Sequence, residues 1–151
     1  MDPQAAIART LRNSARTLIV CHVAPDGDCL GAGLALAAAL QRLGAAATVA
    51  SADGVPASLR FLPGAGEVVI AVAESDDVEV AVTMECSSLE RTGSLQPAIR
   101  RARTIVAIDH HPDHVPYAHL TYWDQHAAAA GELVADVIGR LGVSIDRKSV
   151  V

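Results

Sequence analysis

The sequence predicts a three-layer α/β domain built on a mostly parallel sheet. Two apolar runs, 17–21 and 104–108, have the length and the β-branched content of buried strands. An almost wholly apolar helix pattern over 30–43 follows the first run, and buried strands that alternate with helices are typical of a parallel sheet covered on both faces. The chain has 151 residues, which is enough for one domain with a sizeable core.

Composition limits both the core and the partners. Apolar residues make up 51% of the chain and aromatic residues only 3%, so the core must consist mainly of Ala, Leu, Val and Ile. A formal net charge of −5 provides no basic nucleic-acid footprint, which argues against tight binding of long duplex DNA.

Cysteine usage and hydropathy indicate a reduced compartment. Cys21, Cys29 and Cys86 show no CxxC spacing, which argues against a zinc knuckle or a disulfide framework. The start of the chain lacks the pattern of a signal peptide, and the apolar stretch 29–40 is too short to span a bilayer. We therefore expect a cytoplasmic protein with no membrane partner.

Periodicity and turn residues predict the elements along the chain. Apolar positions at helical spacing indicate helices near both ends, and short apolar runs bounded by Gly, Pro and Asp indicate strands between them. In chain order the predicted elements are helix 5–14, strand 17–22, helix 28–43, strand 46–50, short helix 56–61, strand 68–73, strand 78–84, a basic and solvated helical face over 96–103, strand 104–108, strand 117–123 and helix 127–141.

Three metal-capable side chains, His22, Asp26 and Asp28, lie in the turn between the first strand and its helix. In open α/β sheets, ligands bind at such carboxyl-end turns. Pro25 fixes one backbone angle and Gly27 permits an unusual conformation, so both carboxylates are expected to aim at one point. Asp28 is also expected to cap the helix that follows. On this stretch alone, a capped turn that happens to carry a histidine is the alternative.

A second cluster, 109–114, directly follows the buried run 104–108 and carries Asp109, His110, His111, Asp113 and His114. Neutral imidazole beside carboxylate suits a divalent transition metal, and an outer carboxylate fixes the tautomer of a histidine ligand. Two such clusters in a small chain, each immediately after an apolar strand, are improbable by chance. They predict a metal centre at the carboxyl edge of the sheet.

Two further strand ends carry notable residues. Strand 78–84 leads into Glu85, which would bring another carboxylate to the same edge. Trp123 ends the strand 117–123, and we interpret it as a core residue rather than as a stacking platform for a base.

The pattern His-x-x-Pro-Asp-Gly-Asp at 22–28 and the pattern Asp-His-His at 109–111 resemble the first and third motifs of the DHH phosphoesterases. The resemblance is to the branch of bacterial nanoRNases and 3′-phosphoadenosine 5′-phosphate (pAp) phosphatases. It implies an α/β catalytic domain of this family over 1–145, and 146–151 would be a tail without family resemblance.

The resemblance implies a centre of two divalent ions, with Mn²⁺ favoured and Mg²⁺ or Co²⁺ as alternatives. By the family's motifs, the expected ligands are His22 and Asp26 for one ion, Asp28 and His110 for the other, and Glu85 as the bridge. Asp109 would support the histidines, His111 would face the substrate or its leaving oxygen, and Arg91 would bind the substrate.

Two departures from the family pattern affect these expectations. An aspartate is usual where Glu85 stands, and the longer side chain places its carboxylate about 1.5 Å further from the backbone, which would weaken the bridged pair. The family's fourth aspartate motif and its substrate domain have no counterpart in the sequence. We therefore expect an incomplete catalytic domain that binds about one Mn²⁺ tightly and turns over slowly or not at all.

By the same resemblance, the implied activity is metal-dependent hydrolysis of short oligoribonucleotides, of pAp to AMP and phosphate, or of both. A cyclic-dinucleotide phosphodiesterase is the alternative within the enzymes. An inactive metal-binding fragment or regulatory domain is the alternative outside them. The expected partners are short oligonucleotides or nucleotide phosphates, with a homodimer considered only for the full-length protein.

Overall fold

The computed structural model of the protein describes residues 2–145, and the expected tail 146–151 lies outside them. Five strands form one sheet in the order β2-β1-β3-β4-β5, and every neighbouring pair is parallel. The elements are α1 (Pro3–Arg12), β1 (Arg16–Cys21), α2 (Gly27–Arg42), β2 (Ala46–Ala50), β3 (Val80–Met84), α3 (Gln96–Arg101), β4 (Thr104–Asp109), β5 (Leu120–Trp123) and α4 (Ala130–Arg140), with short 3₁₀ segments at Ala57–Leu59, Ala65–Glu67 and Leu89–Leu95.

The sheet separates two apolar cores, because successive side chains of a strand point to opposite faces. On one face α1, α2 and α4 cover alternate strand residues such as Ile19, Val82 and Ile108. On the other face α3 and the Leu89–Leu95 segment cover the intervening residues, among them Val20. This arrangement confirms the predicted three-layer α/β fold with a parallel sheet.

The helices begin where the sequence supplies caps. The Asp2 side chain accepts hydrogen bonds from the amides of Gln4 and Ala5, and Pro3 occupies the first position of α1, where its missing amide hydrogen costs nothing. Asp26 plays the same capping role for α2. Among residues 2–145, no helix combines the length and apolar character that a bilayer crossing requires.

The parallel register brings strand ends to one edge of the sheet. Cys21 lies opposite Met84, Met84 opposite Ile108, and Asp109 opposite Trp123. The turns that follow β1, β3, β4 and β5 are therefore neighbours in space. The candidate residues predicted from the sequence lie at this edge.

One predicted strand and one predicted core residue were wrong. The run 68–73 forms no strand, because Val69 alone pairs with the sheet, in a single bridge to Ala50, and the next side chain, Ile70, is exposed. Trp123 is not a core residue: 43% of it is exposed, because β5 is the edge strand and nothing among residues 2–145 pairs with its outer side.

Candidate metal centre

His22 follows β1 directly and is almost fully buried. Its Nδ1 lies 2.6 Å from the carbonyl oxygen of Val23, so Nδ1 carries the hydrogen and donates it. The lone pair of Nε2 then faces the other candidate ligands, Asp26, Asp28, Glu85 and His110, which form one cluster with it. Nε2 lies 3.9 Å from a carboxylate oxygen of Asp26 and 3.9 Å from one of Glu85. The local backbone thus sets the tautomer that a metal ligand needs.

The turn after His22 takes its unusual backbone conformation at Ala24, with φ at 50°, and not at Gly27 as expected. Asp53 stabilises this conformation, because its carboxylate accepts the Ala24 amide at 2.7 Å. The amide of Val23 donates to the carbonyl of Arg91 at 2.7 Å, which ties the turn to the Leu89–Leu95 segment.

Gly93 allows this close approach. Its φ is +60°, and a Cβ at this position would lie 2.8 Å from a methyl group of Val23. Glycine is therefore required for both conformation and space. The contact also brings Arg91 to the rim, where it is exposed and its Nη2 lies 3.5 Å from His22 Nδ1.

Asp26 and Asp28 have different structural partners, and the expected cap was wrong. Asp26 caps α2, because its Oδ1 accepts the amide of Cys29 at 2.9 Å. Asp28 lies inside the first turn of α2 and accepts amides of α4 instead, from Ala130 at 2.8 Å and from Gly131 at 2.9 Å. The positive end of α4 thus holds the Asp28 carboxylate at the sheet edge.

Glu85 follows β3 and occupies the middle of the cluster. Its φ is 56°, a left-handed conformation that is uncommon for glutamate, and the residue is only 3% exposed. Oε1 lies 2.9 Å from Nε2 of His110, whereas Oε2 is buried without any hydrogen-bond partner. Burial and the nearby carboxylates of Asp28 and Asp26 raise the pKa of Glu85 to about 9.

His110 completes the cluster from the end of β4. Its Nδ1 lies 3.2 Å from the carbonyl oxygen of Ala127, so this nitrogen donates, and Nε2 faces inward. Nε2 lies 2.9 Å from Glu85 and 3.7 Å from Asp28. Glu85 therefore sits between two imidazoles, with one oxygen toward His110 and the other toward His22.

Asp109 is fully buried beside this cluster, and its hydrogen bonds are complete. Its oxygens accept Nδ1–H of His111 and of His114, each at 2.7 Å, and the backbone amides of His110 and His111 at 2.8 and 3.2 Å. Burial alone would raise the pKa of Asp109, but the hydrogen bonds from His111 and His114 outweigh it and lower the pKa.

His114 belongs to the predicted cluster 109–114, but no individual role was assigned to it from the sequence. Its side chain is only 4% exposed, it binds Asp109, and its Nε2 is buried without a partner. The available signal was its place five residues after Asp109, beyond the Asp-His-His motif.

Cys29 was correctly expected to pack, since burial raises the pKa of its thiol and Sγ donates to the carbonyl of Met84.

The residues around Glu85 fit a divalent ion. Ligand atoms about 2.1 Å from one octahedral ion lie roughly 3 Å apart when adjacent and roughly 4.2 Å apart when opposite. The separations between imidazole nitrogens and carboxylate oxygens here run from 2.9 to 3.9 Å. A cation would also satisfy the unpartnered oxygen of Glu85 and neutralise the carboxylates that crowd it.

Comparison with known proteins identifies the family. The family model described as "DHH family, N-terminal domain" matches residues 16–149. The chain belongs to the DHH family. This confirms the resemblance carried by the motifs at 22–28 and 109–111. Within the family, the chain is 32% identical over 125 residues to the bifunctional oligoribonuclease and PAP phosphatase NrnA of Thermus thermophilus.

Two solved structures share the fold. An exopolyphosphatase-related protein from Bacteroides fragilis superposes with a TM-score of 0.84 at 21% identity, over 93% of this chain and 44% of that one. The exonuclease RecJ bound to manganese gives a TM-score of 0.55 at 17% identity, over 93% of this chain and 38% of the RecJ chain. The match to NrnA covers 83% of this chain but 37% of NrnA, so the chain spans well under half of its relative's length.

Proposed function

We propose that this DHH domain supplies the metal centre of a cytoplasmic, Mn²⁺-dependent phosphoesterase that hydrolyses short oligoribonucleotides, pAp, or both. The unpartnered Oε2 of Glu85, buried between the imidazoles of His22 and His110, carries the proposal. A buried carboxylate oxygen with no donor is costly unless a cation completes it. The relationship to NrnA, whose name states both activities, supports the substrate class.

The ligand roles follow the two ends of the cluster. His22 and Asp26 would hold one ion, Asp28 and His110 the other, and Glu85 would bridge them. Mixed imidazole and carboxylate ligation suits Mn²⁺, with Mg²⁺ or Co²⁺ as substitutes. When bound, such ions polarise phosphoryl oxygens and activate water.

Asp109 and His111 act beside the ligands. Asp109 receives the Nδ1 hydrogen of His111, which leaves His111 Nε2 directed away from Asp109 on a side chain that is 41% exposed. This nitrogen would donate a proton to the leaving oxygen of the ester, while the hydrogen bond to Asp109 holds the imidazole in place. Arg91, exposed at the rim, would bind a phosphate of the substrate.

One observation favours a second candidate, a metal-binding domain without turnover. Glu85 is already in direct contact with His110, and its long side chain fills the space between the two imidazoles. A domain that binds one ion for regulation or assembly would tolerate this crowding, whereas a bridged pair would require Glu85 to move.

A matched pair of histidine variants tests the proposal. The metal-free protein is assayed with Mn²⁺ on a diribonucleotide, on pAp and on bis(p-nitrophenyl) phosphate, and Mn²⁺ binding is measured by calorimetry. His110→Ala is expected to abolish tight Mn²⁺ binding and hydrolysis. His126→Ala removes an exposed imidazole from the loop between β5 and α4 and is expected to change neither. Tight Mn²⁺ binding without hydrolysis of any ester would favour the second candidate, and no Mn²⁺ binding would refute both.

A further inference from the structure

Trp123 stands at the same edge of the sheet as the candidate metal centre. It is the last residue of β5 and lies opposite Asp109 in the register. Its indole Nε1–H donates to the carbonyl oxygen of His111 at 2.8 Å, so the ring is tied to the loop that carries the proposed proton donor. The indole is therefore held in one orientation next to the site.

The side chains of His114 and Tyr117 pack in sequence behind the indole. The His114 imidazole stacks on it with ring centroids 6.2 Å apart and planes 22° apart, and that imidazole is fixed in turn by Asp109. Tyr117 packs on His114 with ring centroids 5.7 Å apart. Because its hydrogen bond and its stacking partner already order the indole, a ligand that stacks on the exposed part would cost little further side-chain entropy.

The exposed part of Trp123 has no role in the fold. The chain contains one tryptophan, and 43% of it contacts solvent. Burial would have removed this large apolar area from water, with a gain of about 25 cal/mol for each Å². The indole Nε1–H is hydrogen-bonded to His111, and the buried part of the ring stacks on His114. The exposed part therefore remains free for a flat, polarisable ligand.

We propose that Trp123 is the stacking platform for a nucleobase of the substrate. This base would lie next to the phosphate ester whose leaving oxygen His111 faces. The inference rests on the proposed function for the identity of the ligand, a purine or pyrimidine nucleotide. Aromatic side chains bind bases of single-stranded nucleic acids through their faces, without strict sequence preference. Such a platform would select nucleotides over other phosphate esters while leaving the base identity open.

The single tryptophan makes the test direct, because all tryptophan fluorescence comes from position 123. The Mg²⁺-loaded protein is titrated with AMP and, separately, with ribose 5-phosphate, which carries the phosphate without the base. AMP is expected to change the fluorescence saturably, and ribose 5-phosphate is expected to leave it unchanged. Equal changes with both compounds, or no saturable change with AMP, would overturn the platform.

Variants separate stacking from other contacts. Trp123→Ala should weaken AMP binding about tenfold in calorimetry, a change within the range that one stacked base contributes, with ribose 5-phosphate affinity unaffected. Trp123→Phe keeps a ring and should recover most of the loss. Phe61→Ala removes another exposed aromatic ring as a control and should leave AMP binding intact.

The two proposals fail in different ways. Saturable AMP binding with no hydrolysis of any ester would refute the proposed activity and leave the platform standing. Hydrolysis of a diribonucleotide with the same KM in Trp123→Ala as in the parent protein would refute the platform and leave the activity standing.

Discussion

Two buried carboxylates lie side by side at the carboxyl edge of the sheet and differ in almost every electrostatic respect. Glu85 follows β3 and Asp109 ends β4, and both are at most 3% exposed. Asp109 accepts hydrogen bonds from two imidazoles and two backbone amides. Glu85 contacts one imidazole through Oε1 and leaves Oε2 without a partner.

The pKa values follow this difference. The pKa of Asp109 is lowered and that of Glu85 is raised to about 9, although burial acts to raise both. The protein supplies hydrogen-bond donors to both oxygens of Asp109, whereas the Glu85 carboxyl lies among the further carboxylates of Asp26 and Asp28. Burial alone therefore does not indicate a metal ligand; burial together with missing donors and crowded negative charge does.

The largest expected effect is on folding stability, in Asp109→Asn. The substitution removes the charge that two imidazoles share and places an amide donor against one of their N–H groups. Breaking a buried charged network typically costs about 3–5 kcal/mol, and we expect a loss of this size in the free energy of unfolding. Urea denaturation without metal ions measures it, with the exposed Asp113→Asn as control. A loss as small as that of the control would show that Asp109 is not a structural anion.

Glu85→Gln should behave in the opposite way. The raised pKa of about 9 keeps Glu85 protonated in the metal-free protein at neutral pH. A neutral amide needs no such proton uptake on folding, so the variant should be as stable as the parent or more so. Mn²⁺ affinity should fall about 100-fold or more, because even the outer partners of a metal site are worth about 10- to 100-fold. Calorimetric titration and urea denaturation on the same preparation give both quantities. Unchanged Mn²⁺ affinity would remove Glu85 from the candidate centre.

The pH dependence of stability distinguishes the two carboxylates further. The folded protein binds the Glu85 proton more tightly than the unfolded chain does, so this group makes the metal-free protein less stable as pH rises from 4.5 to about 9. The slope is at most about 1.4 kcal/mol per pH unit for one proton. Asp109 acts with the opposite sign: its contribution is full above the unfolded value of 3.8 and is lost as pH falls through the lowered folded pKa.

The measurement is a series of denaturation curves over this pH range for the parent protein and Glu85→Gln. The difference between the two should shift in favour of the variant as pH rises, and added Mn²⁺ should abolish or reverse it. A difference that stays constant with pH would mean that Glu85 is ionised in the metal-free protein.

Local sequence patterns located the five strands of the sheet and much of its edge, although they also predicted a strand over 68–73 that does not form. Apolar runs bounded by turn residues locate β1, β3 and β4, and parallel pairing then brings His22, Glu85 and His110 together without knowledge of side-chain contacts. The motifs at 22–28 and 109–111 indicated the family correctly.

The contacts that decide the electrostatics could not be read in the same way. Asp28 is held by the start of α4, 102 residues further on, and this depends on how α2 packs against α4. The left-handed backbone at Glu85 and the exposure of Trp123 on an edge strand are equally properties of the assembled sheet. Periodicity reports which face a residue occupies, but not which donors meet it there.

The smallest expected effect on stability concerns Glu85→Asp, which keeps the charge and shortens the side chain. Aspartate tolerates the left-handed conformation at φ 56° better than glutamate, so the free energy of unfolding should change by less than about 1 kcal/mol. The shorter carboxylate withdraws from His110 and opens space between the two imidazoles for ions. We expect Mn²⁺-dependent hydrolysis to rise several-fold, measured as kcat/KM on a diribonucleotide, with Asp113→Asn again as the surface control. A fall in activity at unchanged stability would show that the glutamate itself is the working bridge. The difference between Glu85 and Asp109 would then depend on the length of the Glu85 side chain as well as on the hydrogen-bond donors that Glu85 lacks.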